Sequence, residues 1–248
     1  MNFLPIHAAG VYGSNEFGTV ISDYVVSSYT PTLTALLGAN TKLEPQFQGV
    51  LGICQSDTPG QSPLPSAELE VAQIEQLRPA LHVQTLSGSS ATVERVFEDM
   101  QKHSWVHLAC HAAQDTQTPT QSAFCLHDGM LTLSRIMTKP FPSADFAFLS
   151  ACQTATGAED LSEEAAHLAA GMLAAGYRSV IATMWSINDE DAPMVSEEVY
   201  RHLVRDSKHD STRAAYGLHH AVQHLRKARE EYGDLSFLCW VPFVHVGI

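Results

Sequence analysis

Residues 145–155, DFAFLSACQTA, contain the stretch that decides the predicted fold. The run 145–151 is short and nearly continuously apolar, which is typical of a strand buried on both faces of a parallel sheet. Cys152 follows it directly. An amphipathic helical pattern then runs over 162–175, and a second apolar run covers 178–184. This strand–helix–strand order predicts a parallel βαβ unit.

The same alternation extends over the whole chain. Further strands are predicted at 23–28, 47–54, 82–86 and 104–110, and further helices at 31–38, 66–77, 90–102, 132–138, 190–206 and 211–231. The polar loops between these patterns are too short to be interdomain linkers. We therefore expect a single α/β domain over 1–248, with a mostly parallel sheet and helices on both faces.

Composition narrows the classes of function. The chain has 14 Lys and Arg against 27 Asp and Glu, a net charge of −13, which argues against binding to nucleic acid or to an anionic membrane surface. It has no apolar run of about 20 residues, as a membrane helix needs, and no signal-peptide pattern at its start. The five cysteines are an odd number and widely spread, so no disulfide framework is expected. These features together predict a cytoplasmic protein.

Three of the predicted strands run into chemically active residues. His111 follows 104–110, Cys152 follows 145–151, and Trp185 follows 178–184. Because the carboxyl ends of parallel strands meet at one edge of a sheet, a thiol and an imidazole should be neighbours there. An imidazole can take the thiol proton and later return it to a leaving amine, which is the chemistry of a cysteine nucleophile.

Several of these residues, and others near them, also have other interpretations. His107 fits a packed strand residue, and a metal site of His107, Cys110 and His111 is disfavoured because four strand residues would spread the ligands apart. Trp185 can cap the core or form the wall of a substrate pocket. The acidic run 189–191 can begin the next helix or bind a basic substrate side chain. The remaining cysteines lie in apolar runs and are expected in the core: Cys54, Cys110, Cys125 and Cys239.

Three blocks of the sequence resemble one known family. They are WVHLACHA (105–112), the segment 146–192 that begins FAFLSACQTATG, and WVPFVHVG (240–247). In their order and spacing they resemble the CHAT domain, a group of caspase- and separase-like cysteine peptidases often attached to tetratricopeptide repeats. Two segments near the N-terminus, FLPIHAAG (3–10) and DYVVSSYTPTLTALL (23–37), are similar to the N-terminal half of the family. The sequence resembles fungal members most.

The resemblance implies a caspase-like three-layer sandwich with about six strands. It also implies a catalytic dyad, in which Cys152 attacks the peptide carbonyl and His111 handles the protons. The backbone N–H groups of Cys152 and Ala112 would form the oxyanion hole, and no metal or cofactor is expected. The residues expected to contact the substrate are Gln153, Trp185, Ser186 and Asp189.

The sequence departs from the family in two respects. Ala112 stands where caspase-like sites usually have glycine, and alanine restricts the backbone angles of the oxyanion hole. The chain also begins almost at the HAAG block, and it contains no tetratricopeptide repeat. We therefore expect some N-terminal strand sequence and an upstream repeat domain to be missing, and we expect an activating protein partner.

The leading hypothesis is a cysteine endopeptidase that acts on peptides or proteins and is latent until a partner activates it. The alternative is a catalytically silent CHAT-type module that binds proteins. A nucleotide-binding domain is disfavoured because neither GxxxxGK[ST] nor GxGxxG occurs. The acidic composition and the run 189–191 favour a basic P1 side chain, Lys or Arg.

Overall fold

The structure is a computed structural model that describes residues 4–13, 17–34, 37, 46–115, 117–153, 164–205 and 208–248. Within these ranges, residues 151–153 and 164–167 are described through their backbone.

Over the described residues, the centre of the fold is one sheet of eight strands. Six strands form its main path in the order β2-β1-β3-β6-β7-β8, in which all neighbours are parallel except β7 and β8. The predicted mostly parallel sheet is confirmed. The strands are β1 Val50–Cys54, β2 Val83–Ser87, β3 Trp105–Ala113, β4 Ala123–Leu126, β5 Gly129–Thr132, β6 Phe146–Gln153, β7 Ser179–Thr183 and β8 Phe243–Gly247.

The prediction of a strand at 23–28 is wrong. A 3₁₀ turn occupies Ile21–Asp23, and the segment reaches the sheet at its end, where the Ser28 hydroxyl forms hydrogen bonds with His245 Nδ1 and the Gly247 carbonyl oxygen and Tyr29 forms a single bridge with Val246 of β8. Tyr24 and Val25 are exposed. Tyr and Val favour strands because their side chains pack well on a half-buried sheet. Among the described residues, no strand pairs with Tyr24 or Val25.

Three strands were missed by the sequence prediction. β4 and β5 form a hairpin that attaches to the end of β3 through the antiparallel pairs Ala112–Phe124 and Ala113–Ala123. β8 runs antiparallel to β7 and forms one end of the main path. The Asp128-Gly129 dipeptide at the β4–β5 turn is a hairpin signal that the sequence does carry.

Helices cover both faces of the sheet, as predicted. The core on one face joins α2, α3 and α4 to β3 and β6, and the core on the other face joins α1, α5, α6 and α7 to the same strands. The helices are α1 Ser66–Glu75, α2 Val93–Met100, α3 Leu133–Ile136, α4 Glu164–Ala175, α5 Ala192–Leu203, α6 Ala214–Ala228 and α7 Phe237–Trp240.

The helix predicted over 162–175 corresponds to α4 over its described residues, Glu164–Ala175. Leu168, Ala169 and Met172 are buried, and Gly176 follows the helix with φ of +125°. The Tyr177 N–H bonds back to the Met172 carbonyl oxygen across this glycine, which is a C-terminal closure that needs positive φ. In the predicted helix 31–38, residues 35, 36 and 38 lie outside the described part of the chain.

No helix in the described ranges is long and apolar enough to cross a bilayer.

Candidate active site

The carboxyl ends of β3 and β6 bring the two predicted catalytic residues together. The Cα atoms of His111 and Cys152 are register partners in these adjacent parallel strands, and neighbouring strands lie roughly 4.8 Å apart. His107 stacks on its own register partner Phe148, with ring centroids 5.0 Å apart. Since side chains alternate along a strand, position 152 lies on the same face of the sheet as His111.

Both strands are longer than predicted, so the candidate dyad lies inside the sheet and not in the loops beyond it. β3 continues through His111 to Ala113, and β6 continues through Cys152 to Gln153. The β4 strand explains the extension, because it pairs with Ala112 and Ala113 and keeps the end of β3 within the ladder. Ala112 therefore has register partners on both sides, Gln153 in β6 and Phe124 in β4.

The His111 imidazole is buried and oriented by a backbone carbonyl. Its Nε2 lies 2.7 Å from the carbonyl oxygen of Ser62, and its side chain is 2% exposed. A carbonyl oxygen only accepts hydrogen bonds, so Nε2 carries the proton and donates. In the neutral imidazole Nδ1 then holds the lone pair, and this atom has no hydrogen-bond partner within the described residues. The arrangement leaves Nδ1 as the atom able to accept a proton.

The side chains of Cys152 and Gln153 lie outside the described part of the structure. What the structure gives for these two predicted site residues is their place in β6 and their register with β3.

A buried acidic side chain contacts both strands of the candidate dyad and was not among the site residues predicted from the sequence. Glu70 of α1 is 2% exposed, and its Oε1 accepts a hydrogen bond of 2.9 Å from the Ser150 hydroxyl of β6. Its Oε2 lies 3.2 Å from Nε2 of His107 in β3, outside good hydrogen-bond geometry. Glu70 thus connects α1 to both strands of the dyad.

A signal for Glu70 was present in the sequence. The buried residues of α1 are Ala67, Glu70, Val71 and Ile74, which is the i, i+3, i+4, i+7 stripe of a core-facing helix. A carboxylate within such a stripe needs a polar partner in the core.

The predicted placement of the other four cysteines is confirmed. Cys54, Cys110, Cys125 and Cys239 are buried. Burial and the nearby Glu68 raise the pKa of Cys54 to about 11, and burial also raises the pKa of Cys125 and of Cys239. A raised pKa disfavours the thiolate, so these thiols should react slowly with electrophiles at neutral pH.

The loop after β7 holds the predicted pocket residues. Trp185 is partly buried and packs against the cores on both faces of the sheet, and its indole N–H is buried without a hydrogen-bond partner in the described residues. Ser186 beside it is exposed. Trp185 therefore caps the core, as one of the two interpretations predicts, and it does so at the carboxyl end of β7.

The acidic run after this loop begins the next helix, also as predicted. Asp189–Asp191 forms a 3₁₀ turn that leads into α5. Asp189 Oδ2 accepts a 2.7 Å hydrogen bond from the backbone N–H of Ser66, the first residue of α1. Asp191 is buried, and its Oδ1 accepts 2.7 Å hydrogen bonds from Nε and Nη2 of Arg229, a pairing that the sequence did not indicate.

No group of three or more His, Cys, Asp or Glu side chains in the described ranges is arranged to hold a metal ion. His107 is fully buried against Phe148 and Tyr200, as expected for a packed histidine.

Comparison with known proteins identifies the family. The family model described as the CHAT domain matches residues 1–248. The structure is similar to the Arg-specific cysteine proteinase gingipain R, with a TM-score of 0.52 and 12% identity over 81% of this chain and 46% of that one. It is also similar to separase in the Saccharomyces cerevisiae separase–securin complex, with a TM-score of 0.55 and 15% identity over 89% of this chain and 13% of that one.

A search of curated proteins finds no match. The chain corresponds to less than half the length of each of these solved proteins. The likeness establishes the caspase-like α/β fold, and the family model covers the whole sequence. The chain belongs to the CHAT domain family.

Proposed function

We propose that this chain is a cysteine endopeptidase that hydrolyses peptide bonds of protein substrates through a Cys152–His111 dyad. The observation that carries the proposal is the register pairing of these two residues at the carboxyl ends of adjacent parallel strands. Membership of the CHAT domain family and the caspase-like fold support it.

The proposed reaction follows from the protonation of His111. With Nε2–H donated to Ser62, Nδ1 takes the thiol proton of Cys152, and the sulfur attacks the substrate carbonyl carbon. The tetrahedral intermediate collapses to a thioacyl-enzyme as the imidazolium returns its proton to the leaving amine. Water, deprotonated by His111, then attacks the thioester, and the thiol leaves with the proton restored.

The proposal assigns oxyanion binding to the backbone N–H groups of Cys152 and Ala112. It assigns substrate binding to Gln153, Trp185, Ser186 and Asp189. One carboxylate oxygen of Asp189 already accepts the Ser66 N–H bond, which leaves Oδ1 for a basic P1 side chain.

The burial of His111 supports a latent enzyme. An imidazole that is 2% exposed needs a rearrangement of its cover before it can meet a substrate. We propose that a protein partner or an attached upstream repeat domain supplies this rearrangement, in the cytoplasm. The same burial favours the second candidate function, a protein-interaction module that keeps the fold without turnover.

Labelling by peptidyl acyloxymethyl ketones that differ in P1 tests the proposal. The adduct is located by intact mass and peptide mapping. Labelling confined to Cys152, lost in His111→Ala and dependent on P1, is the expected result. Cys239→Ala is the matched control, because this buried thiol has a raised pKa and its loss should leave labelling unchanged.

The same experiment separates the two functions. No labelling, or labelling spread over several cysteines without P1 preference, would contradict an active enzyme in the isolated chain. If adding the upstream repeats and their ligand also fails to produce labelling of Cys152, the interaction module is the better description.

A further inference from the structure

The N-terminus of helix α1 is capped by a residue that is distant in sequence. α1 begins at Ser66, and the preceding Pro65 provides no side-chain cap. The Ser66 N–H instead donates to Oδ2 of Asp189, at 2.7 Å, from the loop that follows β7. A carboxylate at a helix N-terminus satisfies an N–H that the helix itself leaves unpaired.

The capped residue is joined to the carbonyl that orients His111 by a short and stiff segment. Ser62, whose carbonyl oxygen accepts the Nε2–H of His111, lies four residues before Ser66. The residues between them are Pro63, Leu64 and Pro65, and proline fixes φ near −65°. Because the two prolines restrict the backbone of this segment, a displacement of Ser66 should also displace Ser62.

Within the segment, Leu64 provides a second anchor. It is buried in a small cluster with Cys54 and Ala109, and its N–H donates to the Ser56 carbonyl oxygen at 2.8 Å. Leu64 ties the segment to the ends of β1 and β3, and Asp189 ties it to the loop that follows β7. The position of the Ser62 carbonyl thus depends on both sides of the candidate substrate site.

We propose that Asp189 is a positioning residue that holds the Ser62 carbonyl in place and so keeps His111 oriented with its Nε2–H donated and its Nδ1 left as the proton acceptor. The inference rests on the proposed function and deepens it. Because Asp189 follows Trp185 and Ser186 in the same loop, a substrate seated on that loop also fixes the orientation of the general base.

The first test observes the His111 imidazole directly and needs no catalytic activity. In protein labelled with ¹⁵N-histidine, the Nε2–H of His111 should give a resonance protected from exchange with water, identified by its loss in His111→Ala. We expect Asp189→Ala to speed that exchange at least about tenfold, and Asp189→Asn, whose amide oxygen also accepts from Ser66, to restore most of the protection. Glu190→Ala is the matched control because Glu190 is exposed and adjacent. Thermal melting of each variant checks that it is folded.

The second test measures inactivation rates from pH 5 to 9 with acyloxymethyl ketones carrying Arg, Lys, Leu or Asp at P1. A misplaced base lowers the rate by about 10- to 100-fold, and in Asp189→Ala this loss should appear with the Leu and Asp probes as well as with the Arg and Lys probes. For the Leu and Asp probes, which gain nothing from a carboxylate at the P1 site, it should appear in the maximal inactivation rate, with a changed pH profile and little change in probe affinity.

Two outcomes overturn the inference. If Asp189→Ala folds and keeps the His111 Nε2–H as protected as in the parent chain, the segment does not depend on Asp189. If the rate loss is confined to Arg and Lys probes, Asp189 is a substrate carboxylate alone. Failure of the proposed function looks different: no probe labels Cys152 in the parent chain, while the exchange test still reports on Asp189.

Discussion

Replacing Glu70 with alanine should destabilise the fold more than any other change to α1 described here. The substitution leaves the Ser150 hydroxyl and the His107 imidazole without their carboxylate in a core lined by Phe148 and Tyr200. Because the Ser150 hydroxyl is left buried without its acceptor, the change should cost about 1–3 kcal/mol of unfolding free energy. At about 2–4 °C per kcal/mol for a chain of this size, the melting temperature should fall by roughly 2–12 °C.

Urea unfolding at pH 7, with linear extrapolation to zero denaturant, measures the effect. Glu70→Gln keeps an oxygen that can accept from Ser150, and it should cost no more than about 1 kcal/mol because a neutral acceptor forms the weaker hydrogen bond. Glu68→Ala is the matched control: Glu68 is an exposed carboxylate of the same helix, and its partner is the Ser56 hydroxyl. A loss in Glu70→Ala below about 1 kcal/mol, or no greater than in Glu68→Ala, would refute the reasoning.

Two further predictions concern β8. Burial lowers the pKa of His245 to about 4, below the unfolded value near 6.5. The neutral imidazole therefore contributes about 3 kcal/mol to the unfolding free energy, which is fully present above pH 6.5 and is lost as the pH falls towards 4. The slope of unfolding free energy against pH in this window should be shallower in His245→Gln, and an unchanged slope would contradict the assignment. Gly247 has φ of +119°, and a Cβ there would lie 2.2 Å from the Arg178 carbonyl oxygen, so Gly247→Ala should cost more than about 2 kcal/mol in urea unfolding. Gly60→Ala, with φ of +82° and open space around the Cβ, should cost only about 1 kcal/mol, and equal losses in the two variants would rule out the clash.

The sequence was most informative about the centre of the sheet. The apolar runs that end at His111 and Cys152 correspond to β3 and β6 within one to three residues, because strands buried on both faces carry a continuous apolar signal. Parallel order then places the two strand ends at the same edge. The order of the strands therefore predicted that the two residues are neighbours, and the structure adds that they are register partners.

The contacts around the site could not be predicted in this way. The hydrogen bond from His111 to the Ser62 carbonyl oxygen joins residues 49 positions apart, and the one from the Ser66 N–H to Asp189 joins residues 123 positions apart. The sequence around the two acceptors, Ser62 and Asp189, carries no pattern that indicates these bonds. The error at 23–28 has a related origin, since Tyr24 and Val25 have strand propensity, but a ladder requires a partner whose position depends on the whole fold. Glu70 is an intermediate case. Its position in the apolar stripe of α1 is visible in the sequence, but its neighbours Ser150 and His107 are not.

The bridge between Tyr29 and β8 has a consequence for how the molecule resists association. The Tyr29 N–H donates to the His245 carbonyl oxygen, and the Gly247 N–H donates to the Tyr29 carbonyl oxygen. These backbone groups of β8 would otherwise be open to a strand from another molecule, as the rims of sheets commonly are. The chain thus shields one rim of its sheet with its own N-terminal segment. Cleavage or displacement of that segment would convert a protected rim into a template for intermolecular β-pairing.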